Sequence, residues 1–568
     1  MKNHEGGETT VEPTHHATPC RRIILFPLPV QGHLGPMLQL ASILHTQGFK
    51  IIIIHAEQNK PNHSDYPHFT FKPIADGFSD IGNHMPEKPD PSFYITYLNE
   101  HCANSFRDCL ARLLVEPNEP PVACLITDAE YYITQEIADS LKVPRVVFWA
   151  CNIVSLLVYR DLSFFYEKGY FNLTTKDPEY EVSVPEYPFL KVKDVIKISK
   201  TPYRMGKYLT KVMKQVNASS GIIWNSFNEP EEAILKTLSH DFPIPRFTLG
   251  PLQKYLPSST LDIIFEQDRT FFSWLDAQAP KSVIYVSFGS LARITKSEFQ
   301  EVAYGLTDIG IPFLWVVRQG MVEGSEWIEC LPEKFLEEVG DRGRIVKWCP
   351  QKEVLAHDAI GCFWTHSGWN STLEGICDGV PMICSPSDVG QPIIARYVSD
   401  VWKIGILLEN GLERDGIKRV VKRLMLDKEG EDIRSRINIL KEKVNISFQE
   451  GGSSRRSLKS LVDYILSGWN STLESICEGV PMTCSPSFVG QPIIARYVSD
   501  VWKIGILLEN GLERDGIKRV VKRLMLDKEG EDIRGRINIL KEKVNISFQE
   551  GGSSRRSLKS LVDYILSF

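Results

Sequence analysis

From Arg21 onward, short apolar runs alternate with segments whose apolar residues recur at helical spacing. "RRIILFPLPV" reads as a buried strand, "GPMLQLASILHTQG" as a helix closed by glycine, and "FKIIIIHA" as a second buried strand. "ACLITDA", the helical "YYITQEIADSLKV" and "PRVVFWA" continue the alternation. Such a succession predicts a parallel sheet covered on both faces. A second series opens near Lys281, with "SVIYVSFGS", "PFLWVVR", "GRIVKWCP", "GCFWTHS", "VPMICSP" and "IGILLE" as six strands separated by helices. The expected fold class is therefore α/β, with two Rossmann-like, doubly wound domains facing a cleft. The proline-rich "PIPRFTLGPLQKYLPSSTLD" reads as the link between them. The expected boundaries are a mobile tail at 1–20, a first domain at 21–245, a linker at 246–275 and a second domain at 276–467. Ligands of open α/β sheets bind where the carboxyl ends of the strands meet such a cleft.

The stretch 468–568 breaks the pattern. Residues 368–467 and 468–567 align without a gap and differ only at Gly375/Ser475, Asp378/Glu478, Ile383/Thr483, Asp388/Phe488 and Ser435/Gly535. The repeat has counterparts of only the last two strands, "VPMTCSP" and "IGILLE". Two parallel strands without central neighbours are expected to bury too little to fold alone. The repeat thus reads as a passenger, a near-identical appendage able to compete with its first copy for the same sheet.

Composition narrows the partners. With 43% hydrophobic and 24% charged residues and a net charge of −6, the chain offers no electrostatic reason to expect nucleic acid or an anionic membrane. The first 20 residues carry no apolar core of a signal peptide, and no run approaches the roughly 20 apolar residues of a transmembrane helix. Twelve cysteines without a CxxC pair read as reduced thiols of a cytoplasmic protein. No cluster with metal-ligand spacing occurs, and His15-His16 lie in the tail.

The chemistry concentrates in "KWCPQKEVLAHDAIGCFWTHSGWNSTLEGICDGVPMICSPSDVGQ". Trp348 follows one apolar strand. His366, Gly368, Asn370 and Ser371 crowd a strand-to-helix turn, where backbone N–H groups and the helix dipole suit a phosphate. Gly289 and Ser290 make a second such turn, so a diphosphate fits, and Glu374 stands one helical turn further on, suited to ribose hydroxyls. Taken singly, each feature has a plainer reading: a tryptophan packs the core, Asn and Ser cap the helix, and a loop histidine is structural. In the first domain, His33 follows the first strand and Asp128 ends another.

Residues 348–391 resemble the PSPG box of plant family-1 UDP-glycosyltransferases, and the likeness extends from about Arg21 to Leu466. The match runs through Trp348, Pro350, Gln351, His357, His366, Gly368, Trp369, Asn370, Ser371, Glu374, Pro381, Pro386 and Gln391. The resemblance implies a GT-B fold, with a UDP-sugar donor on the second domain and a small-molecule acceptor on the first. It implies that Trp348 stacks on uracil, that Gln351 and Glu374 bind ribose, and that Ser290, His366, Asn370 and Ser371 hold the phosphates. Trp369 and Gln391 would approach the sugar, and Cys349 and Gly368 complete the donor-binding set. "PVQGHLGPM" matches the family's catalytic loop, so His33 would deprotonate an acceptor hydroxyl and Asp128 would stabilise the imidazolium. The UDP-sugar is then a co-substrate, with neither metal nor cofactor required, and one displacement inverts the anomeric carbon. The acceptor would be a small lipophilic plant metabolite, phenolic or terpenoid; Phe148, Trp149, Tyr159, Phe164 and Phe165 suit contacts to it, and equally suit a core. The protein is expected to be a monomer unless the repeat drives swapping. One departure bears on the sugar. The family's box ends Asp-Gln, whereas this chain has Gly390-Gln391, a lost charge-assisted hydrogen bond of about 1.5–3 kcal/mol. Asp388 lies two residues upstream, and Ile394 stands where the family commonly has asparagine. A non-catalytic or impaired UDP-binding duplicate is the alternative these departures allow.

Overall fold

The computed structural model describes residues 21–78, 91–198, 202–242, 244–256, 267–387, 389–485, 495–508 and 514–549. The 1–20 tail and Asp388 lie outside the described residues. Seven parallel strands form the first sheet: β1 (Arg21–Phe26), β2 (Phe49–Ala56), β3 (Thr70–Ile74), β4 (Val122–Asp128), β5 (Arg145–Trp149), β8 (Gly221–Trp224) and β9 (Arg246–Thr248). Their order is β3-β2-β1-β4-β5-β8-β9, and β6 (Ser183–Val184) and β7 (Tyr187–Lys191) pair separately as an antiparallel hairpin. The isoleucine run Ile51–Ile54 is buried throughout, as a strand covered on both faces requires. β9 corrects the expected linker, because residues 246–248 pair with β8 as the sheet's last strand. Pro245 and Pro251 confine that strand to three residues, too short a run to stand out by pattern.

The second sheet contains the six strands anticipated: β10 (Val283–Ser287), β11 (Phe313–Val316), β12 (Gly343–Val346), β13 (Ile360–Thr365), β14 (Met382–Cys384) and β15 (Gly405–Leu407). They are parallel, in the order β12-β11-β10-β13-β14-β15. In both sheets the strand order reverses direction at one point, between β1 and β4 and between β10 and β13. Ligand crevices of doubly wound folds open at such switch points. The helix Ser453–Glu478 crosses back and lays Leu458, Leu461 and Ile465 into the core beneath the first sheet. Ser454 Oγ donates to the Gly250 carbonyl at 3.0 Å, and the Tyr464 hydroxyl to that of Ser220.

That same helix settles how the repeat begins. In the first copy Gly368 is the extended residue before a new helix, Trp369–Asp378. In the second, Gly468 lies inside the continuous helix Ser453–Glu478, so the N–H groups of its "GWNS" bond along the helix and no anion-binding terminus exists there. What precedes the motif decides its backbone: a strand and a turn at Ser367, a helix at Ser467. Among the described residues, the repeat's strands β16 (Met482–Cys484) and β17 (Gly505–Leu507) pair with each other alone. They separate two small apolar clusters, one with Ile506 and Leu524 and the other with Ile504 and Ile537. Identical side chains nevertheless fare differently in the two copies. Val380 is 1% exposed and Val480 54%, Ile417 1% and Ile517 36%, Val421 0% and Val521 47%. The apolar face that the first copy buries against β13 and the helix Lys296–Ile309 is open in the second. Phe488, Gly490, Gln491 and the second "SSRRSLKSLVDYIL" lie outside the described residues. Truncation after Ser467 is expected to reduce self-association and dye binding by exposed apolar surface several-fold relative to the full chain, as light scattering and dye fluorescence would measure.

Candidate active site

Asp128 is the last residue of β4, and His33 sits in the first turn of the helix Gln31–Thr46 that follows β1. The switch point between these strands therefore brings the two side chains together across 95 positions of sequence. His33 Nδ1 lies 2.8 Å from Asp128 Oδ2, while Asp128 Oδ1 accepts from the Glu130 N–H at 3.0 Å. The carboxylate is buried and the imidazole side chain is 19% exposed, so the pair is reachable only through the ring. Burial disfavours the imidazolium, but the charge of Asp128 and its hydrogen bond outweigh that, with a smaller push from Cys151, and His33 is held well above its ordinary value. Glu130 beside them is pushed up to about 7, chiefly by burial. With Nδ1 engaged by Asp128, Nε2 is the atom left to act as base.

The facing sheet presents the donor residues expected from the sequence. Gly289 (φ +76°) and Ser290 turn the chain after β10, and His366 follows β13. A Cβ on Gly289 would stand 2.6 Å from His366 Nε2, and one on Gly368 2.5 Å from the same atom. The imidazole is thus lodged between two positions that only glycine fits. Burial pushes His366 down to about 4, against an opposing contact from the Ser287 backbone, so the ring is neutral. Its Nδ1 is buried without a hydrogen-bond partner among the described residues. Ser367 holds φ +63° at the turn, a left-handed conformation of the kind that concentrates at ligand sites. Gln351, Ser371 and Glu374 come together: the Gln351 amide donates to Glu374 Oε2 at 2.6 Å and to Ser371 Oγ at 3.1 Å. The Tyr285 hydroxyl donates to Gln351 Oε1 at 3.0 Å. Trp348 is half-buried just past β12. Cys349 turns its sulfur inward, 3.4 Å from the Tyr285 hydroxyl, so its side chain serves packing.

Other side chains take partners that pattern alone did not reveal. The Trp369 indole N–H donates to the Asn225 carbonyl at 2.7 Å, and Asn370 Nδ2 donates to the carbonyl of Gly32, next to His33, at 2.9 Å. Asn225 Nδ2 in turn donates to Asn370 Oδ1 at 3.3 Å. Two residues expected at sugar and phosphate therefore also tie the domains together. Asn225 follows the buried strand "GIIW" at the cleft edge, the one signal in the sequence that marks it. Gln391 Oε1 accepts from the Ser387 N–H at 3.0 Å and hydroxyl at 3.1 Å. At Gly390 a Cβ would lie 2.9 Å from the Tyr159 hydroxyl and 3.3 Å from Ser155 Oγ, so the first domain closes over the glycine. Of the proposed acceptor contacts, Phe148, Trp149 and Phe165 are core residues with 0–2% exposure. Their apolar character reports packing.

Two parallel doubly wound sheets, with the His33–Asp128 pair at one switch point and a turn leading to a helix N-terminus at the other, have the arrangement of a GT-B glycosyltransferase. Comparison with known proteins agrees. The UDP-glucoronosyl and UDP-glucosyl transferase family model matches residues 264–441 and 463–537. UDP-glycosyltransferase 76G1 of Stevia rebaudiana is 48% identical over 451 residues, 79% of this chain and 97% of that protein. UDP-glycosyltransferase 76B1 of Arabidopsis thaliana is 46% identical over 447 residues, 78% of this chain and 98% of that protein. Among solved structures, Phytolacca americana UGT2 complexed with UDP-2-fluoro-glucose and pterostilbene aligns with a TM-score of 0.64 and 27% identity, over 78% of this chain and 99% of the other. The chain belongs to the plant family-1 UDP-glycosyltransferases and is a UDP-glycosyltransferase acting on small plant metabolites.

Proposed function

We propose that this protein is an inverting transferase that moves a sugar, glucose first among candidates, from UDP to a hydroxyl or carboxyl of a small lipophilic metabolite. The observation that carries the reading is the His33–Asp128 pair, 2.8 Å apart at the cleft and one residue from the Gly32 carbonyl that Asn370 reaches. His33 Nε2 takes the acceptor proton as the oxygen attacks the anomeric carbon, and Asp128 offsets the charge gained by the ring. Neutral His366, the N-terminus of the helix Trp369–Asp378, Ser371 and Ser290 stabilise the departing diphosphate. Glu374 and Gln351 hold ribose, and Trp348 the uracil. In this reading helix dipole and hydroxyls, rather than a metal, meet the leaving group's charge. Stevia UDP-glycosyltransferase 76G1 and an Arabidopsis flavonol 3-O-glucosyltransferase, 40% identical over 460 residues, support a glycosylated plant metabolite as product. Cytoplasmic residence, a monomeric state and a passenger role for 468–568 belong to the same proposal.

The decisive assay is UDP release from UDP-glucose over a mixed phenolic and terpenoid panel, with the full chain and with residues 1–467. Turnover by both establishes the transferase and the dispensability of the repeat. UDP binding without turnover in either would overturn the enzyme reading and point to Gly390. The donor turn can be probed separately. Gly289→Ala places alanine at φ +76°, a strain of about 1–2 kcal/mol before its clash with His366 is counted. UDP affinity measured by calorimetry is expected to fall at least about ten-fold, with the helical circular dichroism unchanged.

A further inference from the structure

Cys151 occupies a third position on the His33–Asp128 pair. β5 ends at Trp149, and the chain turns through Ala150 and Cys151 into the helix Ile153–Arg160. The turn is pinned by Asn152, whose side-chain oxygen accepts from the Val154 N–H at 2.7 Å and the Ser155 N–H at 3.3 Å. Cys151 Sγ is thereby held 3.9 Å from His33 Nε2, the ring atom opposite the one that meets Asp128. Nucleophile, base and orienting carboxylate stand in sequence, an arrangement that activates a thiol. Cys151 is half-buried, whereas Cys102, Cys124, Cys362, Cys377 and Cys384 are buried and burial raises their thiols, which keeps them unreactive.

We propose that Cys151 is a covalent capture site for soft electrophiles of the α,β-unsaturated carbonyl class that enter the acceptor cleft. Its sulfur forms a bond to the β-carbon of the electrophile. The electron pair of the carbon–carbon double bond shifts to the α-carbon as an enolate. The thiol proton, passed to His33 Nε2, is returned to that α-carbon, so nothing leaves and no oxidant or reductant is consumed. Asp128, hydrogen-bonded to Nδ1 at 2.8 Å, offsets the charge the ring gains when it takes the thiol proton. The adduct lies against the ring face that an acceptor hydroxyl must reach, so capture blocks transfer. Only this last consequence rests on His33 being the general base.

N-ethylmaleimide is the probe, applied in limiting amount to the full chain at pH 7, with labelling of each cysteine followed by peptide mass spectrometry. The exposed Cys477 is the internal reference. An unassisted thiol is a few per cent thiolate at this pH, so Cys151 is expected to label about 10–30-fold faster than Cys477. His33→Gln should cancel that lead. Labelling of Cys477 ahead of Cys151 in the native protein, or a Cys151 rate indifferent to His33→Gln, overturns the proposal. Buried Cys124 serves as the folding control; if His33→Gln makes it reactive, Asp128→Asn is judged by the same criterion. UDP release should fall in proportion to Cys151 labelling. Full labelling with transfer retained would uphold capture and refute His33 as the base.

Discussion

Replacing His33 with alanine is expected to lower kcat by about 10²–10⁴-fold, the span of a positioned general base. UDP affinity should change by less than about two-fold, because the donor contacts lie on the other sheet. Asp128→Asn should cost somewhat less, and the double variant little more than His33→Ala alone, since the carboxylate acts through the ring it touches at 2.8 Å. The pair also sets the pH profile. Asp128 holds His33 well above 6.5 in spite of burial, so the base form appears only as pH rises through that higher value. The acidic limb of kcat/KM should therefore sit on the alkaline side of 6.5 and move down in pH in Asp128→Asn, even though that variant is slower. Stability runs the opposite way. The ion pair contributes fully below the unfolded histidine's pKa of about 6.5 and is lost as pH rises through the folded value. Steady-state rates and denaturation midpoints at several pH values test the two signs independently.

Much of this site was legible because it lies at strand ends. A buried strand of four to eight apolar residues announces itself by composition, and the residue after its carboxyl end must face the cleft. That rule places His33, Asp128, Ser290 and His366 at the cleft, and Ser371 and Glu374 on the helix that follows; Gln351 enters only through the family resemblance. Which side chains meet across two domains carries no such periodic mark. Asn225, Gly32 and Cys151 come from three separate segments, and nothing in their local spacing states that Asn370 or His33 will arrive opposite them. Phe148, Trp149 and Phe165 show the converse ambiguity, since an aromatic beside a cleft suits a pocket and a core equally well until burial decides for the core. The repeat shows how context overrides local sequence: the same "GWNST" opens a helix after β13 and sits mid-helix after "LVDYILS". Helix continuity costs nothing where the preceding residues are already helical, and nothing in the motif itself compels a turn.

An ion pair with almost no solvent around it joins the two domains. Arg396, at the end of the helix Gln391–Arg396 that starts beside Gly390, donates from Nε to Asp194 Oδ2 of the first domain at 2.7 Å. Their side chains are 2% and 5% exposed. Glu409 takes the guanidinium's other edge at 2.6 and 2.9 Å and also pairs with Lys193 at 2.8 Å. Removing one member of a buried pair leaves its partner's charge uncompensated, so Asp194→Ala is expected to destabilise the protein by about 3–5 kcal/mol. The lower end is anticipated because Glu409 continues to hold Arg396. Glu409 is drawn down to about 2 by Arg396 and Lys193, in spite of burial that would raise it, so its stabilisation is complete above the ordinary carboxylate range and disappears as pH falls toward 2. A paired replacement, Asp194→Leu with Arg396→Met, should recover most of the loss, since apolar groups of similar volume carry no desolvation cost. Denaturant titration of the four proteins of that cycle gives the coupling energy directly. Recovery of stability without recovery of transfer would mean that the ion pair sets the angle at which Gln391 and His33 face each other. Recovery of both would mean that it only holds the domains together. Additive losses would show that the contact is not formed across the interface in solution.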